Sequence, residues 1–99
     1  MAQAYTYTDL QVVLKIDPAY CTGTLYASFA PSSGTPVEVT TTDYNAETGE
    51  VLVALTQAQS ANLHGIVGVQ LNGFLNSKRW ASEICYFRCD SNLIGRTLS

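Results

Sequence analysis

The feature that most constrains this chain is a two-residue alternation of apolar and polar side chains, repeated in segment after segment. In "LQVVLKID", Leu10, Val12, Leu14 and Ile16 fall on one face, and Gln11, Val13, Lys15 and Asp17 on the other. A period of two is that of a β-strand with one buried face. "GTLYASFA" groups Leu25, Ala27 and Phe29; "EVLVALT" groups Val51, Val53 and Leu55; "GIVGVQLNG" groups Val67, Val69 and Leu71. "VEVTTTDY" is β-branched and Thr-rich, a strand whose hydroxyls suit a solvent or subunit face. "RWASEICYFRCD" reads as the longest strand, with Trp80, Ile84 and Tyr86 on one side and Ala81, Cys85 and Phe87 on the other. Apolar residues on both sides imply cover on both faces, by the core and by a neighbouring subunit.

Turn residues separate these segments. "DPAY" and "PSSGTP" break the chain with prolines, "NAETGE" ends in a glycine able to take φ > 0, and Asn72-Gly73 is a hairpin signal. One stretch departs from the alternation: "LTQAQSANLHG". Thr56 followed by Gln59 has the spacing of a capping box, and Gly65 offers a stop, so a short helical turn is expected near residues 56–63. Such a turn is a compact way to carry the chain from one sheet to another, with Ala58, Ala61 or Leu63 pointing inward and the next strand starting at Ile66.

Strands of about 6–10 residues with turn signals every 8–12 or so predict an all-β fold, an immunoglobulin-like antiparallel β-sandwich of six to seven strands. Residues 1–9 form an N-terminal arm or a first edge strand, residues 10–90 the sandwich, and residues 91–99 a C-terminal tail. The length of 99 residues suits one domain. Charged residues make up only 13% of the sequence, roughly half the usual ~25%. A surface so poor in charge suits contact with other subunits.

The net charge is −3 and only Lys78-Arg79 are adjacent cations, so a nucleic-acid partner is not expected. No apolar run approaches the ~20 residues of a membrane span. The first residues lack a basic segment followed by an apolar one, which points away from a secretory signal and toward a chain made and kept in a cytoplasm. Three cysteines, Cys21, Cys85 and Cys89, fit that compartment as reduced, buried thiols. Cys85 and Cys89 would lie about 13 Å apart along a strand, too far for a disulfide, though Cys21 could approach either across the sheets. Neither they nor the dispersed acids have metal-site spacing, and no cofactor is expected. His64, flanked by Asn and Gly at the expected helix end, reads as a capping or solvent residue, so no catalytic residue is assigned and no enzymatic activity is expected.

The aromatics carry the functional signal. Tyr20, Tyr26 and Tyr86 fit strand packing, whereas Tyr5 and Tyr7 lie in an uncharged segment before the first clear strand. An aromatic arm of that kind suits docking on another subunit. Tyr5, Tyr7, Leu10, Trp80 and Tyr86 are the contact candidates.

Gly49, Val51, Val53, Leu55, Thr56, Gln59, Gly65, Leu71 and Phe87 together form a "G-x-V-x-V-x-L-T-x-x-Q" segment, a "G-x-x-x-x-x-L" strand and a closing strand ending in an aromatic. Over about residues 10–90 this pattern resembles the Ig-like domain near the N-terminus of phage virion proteins, such as upper baseplate proteins and head-fibre proteins. The resemblance implies a structural role: a subunit seated on capsid or tail as a head-fibre, decoration or baseplate component, located in the virion, partnered by other virion proteins and by copies of itself. Those proteins are usually longer, so a stand-alone decoration protein or a short fibre is expected. The alternative, from a different class, is a carbohydrate- or receptor-binding module of a fibre or adhesin that uses Tyr and Trp as a stacking platform.

Overall fold

The inward residues of the alternating segments meet in one core between two sheets. The computed structural model describes residues 2–99. In chain order its elements are β1 (Ala2–Tyr5), β2 (Leu10–Lys15), β3 (Leu25–Gly34), β4 (Val37–Thr41), β5 (Tyr44–Asn45), β6 (Glu50–Leu55), α1 (Gln57–Ser60), β7 (Leu63–Leu75), β8 (Lys78–Ala81) and β9 (Cys85–Asp90). The larger sheet has the order β1-β9-β7-β3-β4, with β8 also paired to β7; the smaller has the order β2-β6-β5. The pairings are antiparallel except that β1 runs parallel to β9. This is an all-β sandwich, and the N-terminal segment is its first edge strand.

Leu14, Val51, Val53 and Leu55 from the small sheet pack against Leu25, Phe29, Val67, Val69, Leu71 and Phe87 from the large one. Phe29 and Phe87 meet edge to face, with centroids 6.3 Å apart and ring planes at 76°. Burying each such side chain contributes about 1.5–3 kcal/mol, which makes these positions the main stabilising term.

Two of the crossings between sheets, β1 to β2 and β6 to β7, are fastened to each other. The chain passes from β6 to β7 through α1, as expected of the helical turn. Thr56 Oγ1 accepts from Gln59 N at 3.3 Å, and Gln59 Oε1 accepts from Thr56 N at 2.9 Å, completing the capping box. The inward helical residue is Ser60, fully buried, while Ala58 is exposed and Ala61 half-buried. Ser60 Oγ accepts from Thr8 N at 3.0 Å and its hydroxyl reaches Thr8 O at 2.7 Å, so α1 is fastened to the β1–β2 connection. Gly65 is not the helix stop. α1 is capped by Ala61, and β7 begins at Leu63, before the expected Ile66. His64 is consequently a strand residue opposite Ser33, not a helix-end cap.

Four other expectations change. "VEVTTTDY" is two elements in two sheets. β4 ends at Thr41, whose Oγ1 donates to Leu52 O at 2.8 Å and accepts from Asp43 N at 3.0 Å, turning the chain into β5. Pro31 does not break β3, which continues to Gly34 through a register shift between Pro31 and Ser33. Phe29 is the last β3 residue paired with β4, so Pro31 lies where that side of the strand is free and a missing N–H is tolerated. Asn72-Gly73 lies inside β7, and the hairpin turn is Asn76-Ser77, both at positive φ (52° and 63°), as a two-residue I′ turn requires. Gly73 meets a packing need instead: a Cβ there would lie 2.8 Å from Trp80 Cζ2.

The expected long last strand is divided. β8 and β9 both pair with β7, but Ser82, Glu83 and Ile84 stand opposite only Gln70 and Leu71. This one-residue excess is a bulge that reverses the facing of every later residue. Ser82 sustains it, accepting from Leu71 N at 2.9 Å through Oγ and donating its own N–H to Leu71 O at 2.8 Å. Trp80 therefore shares the core side with Phe87 and Cys89, while Tyr86 faces outward.

Candidate functional site

Side chains between the buried positions of the large sheet point to its outer face. Tyr5, Tyr26, Ile66, Phe74, Ile84 and Tyr86 are the large apolar residues exposed there. The small sheet exposes one comparable strand residue among those described, Val13. An apolar set gathered on one of two faces makes that face the candidate contact surface.

The face has two halves, one around Ile66 and Gly68 and the other around Asn72 and Phe74, which adjoin at Ser28. The first half is apolar. Tyr86 and Ile84 lie over Gly68, where a Cβ would come within 3.3 Å of the Tyr86 ring and 3.1 Å of Ile84 Cγ2. The lack of a side chain at Gly68 opens a shallow groove floored by Ser28, Ala30 and Gly68 and walled by Ile66, Ile84 and Tyr86. Toward the β1 edge, Asp90 accepts from Gln3 Nε2 at 2.6 Å and from Arg88 Nε at 3.0 Å, which ties the edge strand down and leaves Tyr5 outward.

The second half is mixed. Phe74 and Arg79 are cross-strand partners beside the Asn76-Ser77 turn. Arg79 donates through Nε at 3.2 Å and Nη2 at 3.1 Å to one oxygen, Asn72 Oδ1. A depression of ≈ 230 Å³ lies here among Tyr26, Ser28, Glu38, Asn72, Phe74 and Arg79.

The five contact candidates divide. Tyr5 (49% exposed) and Tyr86 (58%) are on the outer face. Tyr7 is half-buried in the β1–β2 connection at φ 58°. Leu10 and Trp80 pack against the core, and Trp80 is tilted against Tyr20 with centroids 5.0 Å apart. The sequence reading assigned Tyr26 to strand packing and missed Ile66 and Ile84 as surface residues. Their signal was available in Ile66 and Gln70 alternating with the buried valines, but an isolated outward apolar residue on one strand carries no meaning until the strands are laid side by side.

All three cysteines are free thiols. Cys21 and Cys89 are buried as expected, but Cys85, at the start of β9, is exposed although it stands opposite the buried Val69 and in phase with Phe87. Burial raises the pKa of the Cys21 thiol, with Asp17 adding to it; burial likewise raises Cys89, with Asp90 adding to it. The described residues contain no group of three or more His, Cys, Asp or Glu positioned to hold a metal ion. No helix among the described residues is long and apolar enough to cross a membrane. Comparison with protein-family models, with curated proteins and with solved structures gave no match.

Proposed function

We propose that this chain is a bacteriophage virion structural protein, an Ig-like anchor or decoration subunit that attaches to capsid or tail through the apolar half of its large sheet. The observation that carries the reading is the gathering of exposed Tyr86, Ile84, Ile66 and Tyr5 on that one face. Buried against another subunit, such a surface supplies the central apolar part of an interface, and a standard interface needs about 1,200–2,000 Å² in all. Repetition on a symmetric particle multiplies modest single-site affinity through avidity.

The strand order supports the Ig-like reading. The small sheet, β2-β6-β5, corresponds to B-E-D, and β9-β7-β3-β4 to G-F-C-C′. The phage setting rests on the sequence pattern, whose members are framework positions. Gly49 turns at φ 83°, Val51, Val53, Leu55, Leu71 and Phe87 fill the core, and Thr56 with Gln59 forms the capping box. The N-terminal segment contributes through Tyr5 as part of the sheet rather than as a free arm.

The test is sedimentation of particles from the source lysate with immunodetection of this chain. The reading expects the chain in the particle band, and Tyr86→Glu to leave it there no longer while folding is retained. Recovery only as free protein would overturn the reading.

A further inference from the structure

We propose that the depression beside Arg79 binds an acidic sugar residue, a hexuronate or similar carboxylated pyranose, with its carboxylate on the guanidinium and its ring between Tyr26 and Phe74. This goes beyond the anchoring role and concerns the other half of the face.

The arginine is the first ground. Asn72 Oδ1 accepts from both Nε and Nη2, which fixes the plane of the guanidinium and occupies one of its edges. The remaining edge, Nη1 with the second N–H of Nη2, stays open. Two parallel donors in a plane match a carboxylate bidentately, and a guanidinium already held in place loses less freedom on binding. Among the described residues no carboxylate lies within ion-pair distance of Arg79; the ion pair found there is Arg88–Asp90. Lys78 pairs with Leu75 on the opposite face of the hairpin, and the Glu38 carboxylate lines the same depression, so the partner for an anion is the Arg79 guanidinium itself and not a broad positive field.

The surroundings select the rest of the ligand. Tyr26 stands opposite Asn72 across β3 and β7, and Phe74 opposite Arg79 across β7 and β8. Both rings are exposed, so each offers an apolar surface to the C–H face of a pyranose. Ser28, Glu38 and the Asn72 amide supply acceptors and donors for ring hydroxyls at the same depression. Its ≈ 230 Å³ is below the roughly 300–1,000 Å³ of pockets for drug-sized molecules, which suits one sugar unit of a longer chain. A peptide carboxylate would use Arg79 equally well but leave the hydroxyl-binding groups unmatched.

The experiment is an amide NMR titration of the intact chain with trigalacturonic acid, with its methyl ester and with tetraglutamate, at low ionic strength. The proposal expects the acid to shift Asn72, Gly73, Phe74 and Arg79, and the ester to bind at least about tenfold more weakly, the scale of losing a charged hydrogen-bonded pair. Arg79→Gln should weaken binding by a similar factor with an unchanged unfolding midpoint. Asn72→Asp should also weaken it, since the new carboxylate holds the arginine but neutralises it. Tyr86→Glu should leave sugar binding intact while abolishing particle association, so the two proposals fail separately. Equal binding of acid and ester, shifts away from Arg79, no shift at all, or tetraglutamate binding as tightly as the sugar would each overturn the proposal.

Discussion

Replacing Ser60 with Ala tests how the two sheets are fastened at the α1 pole. Ser60 is fully buried, and its hydroxyl serves both backbone groups of Thr8, accepting from N at 3.0 Å and donating to O at 2.7 Å. The variant removes one oxygen and strands two polar groups. An unsatisfied buried donor or acceptor costs about 1–3 kcal/mol, and Thr8 is only partly buried, so the low end applies to each group. The expected loss is about 2 kcal/mol. For a domain of this size each kcal/mol moves Tm by roughly 4–8 °C, giving a fall of about 8–16 °C. Urea unfolding followed by Trp80 fluorescence measures it, with an unchanged m-value expected because the core is untouched. Ser60→Cys, similar in size and a weaker hydrogen-bonding group, should fall between the two. A loss below about 0.5 kcal/mol in Ser60→Ala would refute the reasoning, since the latch would then contribute no more than an ordinary surface contact.

Other predictions follow from the same geometry. Trp80 Nε1 is buried without a hydrogen-bond partner among the described residues, so Trp80→Phe should be close to neutral in urea unfolding, whereas Trp80→Ala should lose on the order of 3 kcal/mol by emptying the space over Gly73. Thiol labelling of the native chain at neutral pH should modify Cys85 rapidly and Cys21 and Cys89 only on unfolding. Because the folded pKa values of Cys21 and Cys89 are raised, the unfolded chain loses those protons first. Their contribution to stability is complete below the ordinary thiol value of about 8.5 and declines as pH rises through the folded values. The urea midpoint should therefore fall more steeply above that pH in the native sequence than in the Cys21→Ala, Cys89→Ala variant; equal slopes would refute the assignment. Thr56→Ala should cost about 1 kcal/mol in the same assay through loss of the helix cap.

Much of the fold was legible because alternation is a direct record of a half-buried strand. Leu25, Phe29, Val53, Val67 and Leu71 could be assigned inward from sequence, and the capping box at Thr56 from its spacing alone. What escaped was whatever breaks the period without a marker. The bulge at Ser82 adds one residue opposite β7 and reverses Tyr86 and Phe87, yet Ser82 carries no turn signature. Gly73 carried a strong one and misled, since a glycine required for space and a glycine required for backbone freedom read alike. The actual turn, Asn76-Ser77, puts a serine at positive φ, a choice composition does not announce. The candidate face was hidden for a different reason. Tyr26, Ile66, Phe74 and Tyr86 are far apart in the chain and become one surface only through the pairing of β3, β7, β8 and β9.

That surface can be read directly by hydroxyl-radical footprinting of the chain, free and on purified particles. If the large sheet is the side that meets the virion, oxidation of Tyr86 and Ile84 should drop on the particle while Val13, on the opposite sheet, stays as reactive as in the free protein. Protection of Val13 with Tyr86 left fully reactive would contradict the account.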